Sequence, residues 1–115
     1  MFAYLLKMNN KIMKLNIADR INLINIFPAE SGMVQQILVK DIAKKVEFTQ
    51  DEIKEVNLVQ KDGMITWTPE KAKDKEVEFT EMELNFLREC VDTLDKNKKI
   101  SQQLIDLCLL IKNEK

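Results

Sequence analysis

A chain of 115 residues is one domain by size, and its 18 basic and 19 acidic side chains nearly cancel. That balance provides no broad field to draw in nucleic acid or an anionic membrane. The absence of histidine removes the commonest general base and the commonest metal ligand.

Two glycines and two prolines favour long regular elements over a many-turned sandwich. Cys90 and Cys108 form no CxxC pair and read as small buried thiols. No apolar run is long enough to span a bilayer. Phe2-Ala3-Tyr4-Leu5-Leu6 is too short for a secretory h-region and follows no basic n-region, so a cytoplasmic location is expected.

Residues 1–14 read as an N-terminal extension and residues 15–115 as a single domain, because Met8 and Met13 could equally serve as start residues. Asn16 is a good N-cap with Asp19 at N3, and starts a first helix. Ile17, Ile21 and Ile24 share its apolar face, broadened by Leu23 and Phe27. Pro28 stops it, since the residue before a proline is pushed out of the α region. A second helix over about 33–46 carries Val34, Ile37, Leu38, Ile42 and Val46 as its core stripe.

One phrase then occurs twice. Val46-Glu47-Phe48-Thr49-Gln50-Asp51-Glu52-Ile53 is echoed by Val77-Glu78-Phe79-Thr80-Glu81-Met82-Glu83-Leu84. Thr49 and Thr80 are N-caps, and Glu52 and Glu83 at N3 complete capping boxes. Phe48 with Ile53, and Phe79 with Leu84, add hydrophobic staples. A short third helix buries Ile53 and Val56.

Between the two phrases the period changes to two. Leu58-Val59-Gln60-Lys61 and Met64-Ile65-Thr66-Trp67 flank Asp62-Gly63, the pattern of a type I′ hairpin. Leu58, Ile65 and Trp67 then share a core-facing side. Residues 75–79 can add a third strand, with Val77 and Phe79 inward.

A fourth helix over about 81–96 has a seam of Leu84, Leu87, Val91 and Leu94. Ser101 caps a fifth, and the short connection predicts an antiparallel helical hairpin. The fifth helix is apolar nearly all round. Leu104, Cys108 and Ile111 face the fourth helix, which leaves Ile105, Leu109 and Leu110 as a candidate interface. A partner or dimer mate is one cover for that strip, and the Met1–Leu6 arm is the other.

No catalytic, cofactor or metal site emerges. Asp51, Glu52 and Glu83 are engaged at helix starts. Glu70, Asp74, Glu76 and Glu78 alternate with Lys71, Lys73 and Lys75 as a self-paired surface. Three helices followed by a hairpin is also the order of a winged helix. The third helix, which would then enter the major groove, offers Gln50, Asp51, Glu52, Lys54 and Glu55, an acidic face toward phosphates. Trp67 reads as core.

Arg20, Leu23-Ile24-Asn25-Ile26-Phe27-Pro28-Ala29-Glu30-Ser31-Gly32, Phe48-Thr49-Gln50-Asp51-Glu52-Ile53-Lys54 and Gly63-Met64-Ile65-Thr66-Trp67 together resemble a set of small phage and prophage proteins. In that set an R…LL..LP.EG start, an F[ST].EE.K helix start and a G.I.W strand recur in this order. Here Phe27-Pro28 stands for Leu-Pro, and Ser31 interrupts the Glu-Gly pair. The shared motifs are a helix stop, a cap and a hairpin. The resemblance implies a phage-related origin and no particular chemistry.

The expected fold is therefore α+β: N-terminal helices, a small antiparallel β-meander and a C-terminal antiparallel helical hairpin. The expected function is a non-enzymatic protein-interaction protein of phage or prophage type, self-associating as a homo-oligomer, most simply a dimer. Occlusion of a host or phage protein is the mode this suggests, with host-defence inhibition as one version. The alternative is a winged-helix-like DNA-binding transcription regulator.

Overall fold

Side-chain caps explain where three of the helices begin. The computed structural model describes residues 10–113. Within them β1 (Lys11–Leu15) leads into α1 (Ile17–Leu23), which tightens into a 3-10 turn over Ile24–Ile26. The Asn16 side chain accepts from the Asp19 amide at 2.7 Å, and Asp19 accepts in return from the Asn16 amide. Phe27 is already extended before Pro28. Next come α2 (Met33–Val46) and α3 (Gln50–Val56), the latter opened by the Thr49–Glu52 capping box. The hairpin of β2 (Val59–Lys61) and β3 (Met64–Thr66) follows. Then come β4 (Lys75–Phe79), α4 (Glu81–Lys96) and α5 (Gln102–Asn113). The Thr80–Glu83 box opens α4. Each of the three boxes stabilises its helix by about 1 kcal/mol.

This is an α+β fold with a C-terminal helical hairpin, as the pattern predicts. The hairpin turn also holds: Lys61 pairs with Met64, and Asp62 and Gly63 both take positive φ. The expected three-stranded meander does not form. The strands make two separate antiparallel pairs, β2 with β3 and β1 with β4. Met13 lies opposite Val77, and Lys11 opposite Phe79. The reason is the match of buried faces. Met13 and Leu15 alternate inward on β1 as Val77 and Phe79 do on β4, and all four are in the core. The short hairpin has no fully buried position to offer such a strand.

The boundary expected after residue 14 moves accordingly. Residues 11–14 belong to the fold through β1, while residues 1–9 lie outside the described residues, as do residues 114 and 115. The core gathers β1, β4, the end of α1 and its 3-10 turn, the C-terminal part of α2, and the inner faces of α4 and α5. Leu58, Ile65 and Trp67 face inward but are only half-buried, because the hairpin sits at the edge. On α1 and its 3-10 turn the core positions are Ile17, Leu23 and Ile26, whereas Ile24 is exposed and Ile21 half-buried.

Candidate interaction surface

The α2 helix is two different helices joined end to end. Its C-terminal half is fixed in place. Ile42 and Val46 are buried, and α2 packs across α4 and β4. Arg20 reaches from α1 to the end of α2 and holds it. The Arg20 side chain donates to the backbone carbonyls of Val46 at 3.1 Å and Glu47 at 2.8 Å. Its other guanidinium contacts form a two-toothed pair with Glu52, at 2.6 and 3.2 Å, and its Cζ lies over the Phe48 ring, 4.0 Å from the ring centre. The Arg20 side chain is 1 % exposed and that of Glu52 33 %. This pairing, a hydrogen bond first of all, holds the Glu52 carboxyl down at about 2 from an ordinary 4.5.

The second capping glutamate receives the same treatment from α2 itself. Lys45 donates to Glu83 at 2.5 Å and to the Glu78 carbonyl at 2.9 Å. Glu83 therefore caps its own helix start and ties α4 to α2. The repeated phrase thus makes two starts and, through its N3 glutamates, two junctions. The sequence carries the capping signal plainly, but nothing in the spacing of Arg20 or Lys45 announces the junctions.

The N-terminal half of α2 has no such cover. Met33 is 82 % exposed, Val34 61 % and Ile37 54 %. The predicted core stripe was too wide for one contact face. At about 100° per residue, Ile37 lies about 140° around the helix from Ile42, so both cannot face one core. The structure buries Ile42 and Val46, half-buries Leu38 and Val39, and turns Ile37 outward beside Met33. Across from Val34 and Leu38, the start of α4 presents Met82, also exposed, and Phe86. Between the two helices runs an open groove of about 830 Å³ lined by these side chains. Among the described residues its charged lining side chains are Glu81 and Glu89, and Asn10 stands at its edge. Phe86 also stacks on Phe27, with ring centres 6.4 Å apart. Met33, Met82 and Phe86 went unselected in the sequence. The available signal was the width of the α2 stripe.

Of the three residues expected at an α5 interface, the structure leaves one exposed. Leu109 is 52 % exposed, but Ile105 and Leu110 are half-buried and Leu110 packs against the core. The reason is that α5 packs against both α1 and α4, although it is the last element. Asn22 of α1 accepts from the Gln103 side chain at 2.8 Å and donates to its carbonyl at 3.4 Å. Leu104, Leu107, Cys108 and Ile111 are buried.

Two other clefts among the described residues are smaller. One of about 450 Å³ surrounds Arg20 and Glu52 and is rimmed by Lys71, Lys73 and Lys75. Glu55, at its edge, pairs with Lys73 at 3.3 Å in open solvent. A third, of about 410 Å³, lies under the hairpin between Ile21, Ile24, Leu58 and Ile65. Burial raises both thiols: Cys90 to about 11, with Glu89 adding to it, and Cys108 above its ordinary value, with Asp95 adding to it. Neither is a thiolate near neutral pH. Among the described residues no group of three or more cysteine, aspartate or glutamate side chains converges as a metal site, and no helix is long and apolar enough to cross a membrane.

Comparison of the chain with family models, with curated proteins and with solved structures finds no match.

Proposed function

We propose that this chain is a non-enzymatic interaction protein that binds a protein partner through the N-terminal half of α2 and the adjoining start of α4. One observation carries the reading: Met33, Val34, Ile37 and Met82 are large apolar side chains, all more than half exposed, grouped on and beside one helix. Such grouping marks a contact surface rather than ordinary scatter. The methionines suit it, since their flexible thioethers adapt to a partner's shape. Self-association, if the chain forms a dimer, uses this same face, because α5 offers a lone Leu109. The phage or prophage origin suggested by the Arg20, Phe48–Lys54 and Gly63–Trp67 motifs fits a product that acts by occluding another protein.

Duplex DNA is not the partner in this reading. Gln50, Asp51, Lys54 and Glu55 are the exposed residues of α3, and they leave that helix acidic.

Site-specific photo-crosslinking tests the proposal. A photoreactive side chain at position 37, introduced in cells infected by or carrying the source phage, is expected to form a discrete protein adduct. The same group at position 109 is expected to form none. Adducts from 109 alone would move the interface back to α5.

A further inference from the structure

The two rims of the groove between α2 and α4 differ in charge. Along α4, Glu81, Asn85 and Glu89 are exposed and recur every four residues, so they form one line beside the apolar pair Met82 and Phe86. The facing rim on α2 is Val34, Leu38 and the uncharged Gln35. Glu83 belongs to neither rim, being engaged at the helix start and with Lys45. Glu81 and Glu89, by contrast, are in no ion pair among the described residues. They stand about 12 Å apart along the helix. The groove also has length. A smaller cleft of about 180 Å³ shares Phe86 and Glu89 with it and carries it on toward Phe27 and Leu94. From Glu81 to Leu94 the floor runs about 20 Å, the length of a helix of about 13 residues. Both walls are helices, whose backbone groups bond within the helix, so a strand laid between them finds no ladder to join. A helix brings its own backbone bonds and needs only apolar contact from the walls.

We infer that the groove takes an amphipathic helix of a protein partner, with an apolar stripe seated on Val34, Leu38, Met82 and Phe86 and two basic side chains on one flank, about two turns apart, set against Glu81 and Glu89. This occupant rests on the reading of the face as a contact surface, and adds to it the chemistry of what is bound. Because both carboxylates lie on the α4 rim, they also fix which way round the helix sits. A helix with acidic residues on that flank meets like charge. The two pairs form at an open rim, so they select between partners more than they add affinity.

Methyl spectra of the full chain test this with two synthetic helical peptides of about 14 residues. The peptides share one apolar stripe and differ only at two positions on one flank, lysine in one and glutamate in the other. The lysine peptide is expected to shift the methyl signals of Val34, Leu38 and Met82 and to leave those of Leu109 in place. It should bind about tenfold tighter than the glutamate peptide at low salt, a margin that shrinks as salt rises. Glu81→Gln with Glu89→Gln should remove most of that margin without moving the melting temperature, and Glu81→Lys with Glu89→Lys should invert it. Equal binding of the two peptides to the parent chain, or a margin that survives the glutamine substitutions, overturns the inference, as does binding of neither peptide. The proposed function is judged apart from this by the crosslink at position 37. A discrete adduct there with equal peptide binding keeps the contact surface and removes the basic helix, whereas no adduct and no peptide binding removes both.

Discussion

The two halves of α2 differ in what their apolar residues are for. From Leu38 onward, the apolar side chains answer to the core, and charged neighbours lock the helix in place through Arg20, Glu52, Lys45 and Glu83. Before Leu38, Met33, Val34 and Ile37 are as apolar as the rest, yet most of their surface meets water. Fixing one end of a helix so firmly gives the other end a stable position without any core contact of its own. The comparison teaches that an apolar stripe is not one signal. Where it is narrow it reports the core, and where it widens beyond one face it reports something else to be covered.

Substitutions at the two ends should separate cleanly. The largest loss is expected from Ile42→Ala, since Ile42 is 0 % exposed and its removal leaves a cavity. Chemical denaturation should show a cost of about 3 kcal/mol. Arg20→Met is next, at about 2 kcal/mol. It strips the side-chain donors from the Val46 and Glu47 carbonyls, although water can reach the partly exposed Glu52.

Glu52→Gln sharpens the same point through pH. The folded carboxyl titrates at about 2 and the unfolded one near 4.5, because Arg20 holds the charged form. A depressed folded value means that the contribution is complete above about pH 4.5 and is lost as pH falls toward 2. The variant should cost about 1 kcal/mol at pH 7, reduced by the exposure of Glu52, and the difference from the parent should shrink between pH 4.5 and 2. A gap constant across that range would show that the pairing does not hold the junction. The smallest effect belongs to the other end. Met33→Lys together with Ile37→Lys should leave the melting temperature nearly unchanged, within about 0.5 kcal/mol in stability. A large loss there would mean that both ends serve the core alike.

Much of the architecture was legible because it is written locally. Asn16–Asp19, Thr49–Glu52 and Thr80–Glu83 each declare a helix start within four residues, and Asp62-Gly63 declares its turn within two. What escaped depends on distant partners. The pairing of β1 with β4 joins residues sixty or more positions apart, and Lys75–Phe79 fits the hairpin equally well on pattern alone. The packing of α5 against α1, where Asn22 meets Gln103, is more remote still, and together with α4 it buries Leu104, Leu107, Cys108 and Ile111. The candidate surface was half legible. Val34 and Ile37 stood out as apolar, but only the placement of Ile42 and Val46 shows that Ile37 cannot share their face and that Val34 is left uncovered.

The central claim is that the exposed end of α2, and not α5, is the face that meets a partner. The most direct test is affinity capture from a lysate of the cells that produce the protein, with three forms of the chain. These are the parent chain, the Met33→Lys/Ile37→Lys form and the Leu109→Lys form, compared by quantitative mass spectrometry. The account predicts a protein retained by the parent and by Leu109→Lys and lost from the doubly substituted form. A protein retained by the doubly substituted form and lost with Leu109→Lys would contradict it.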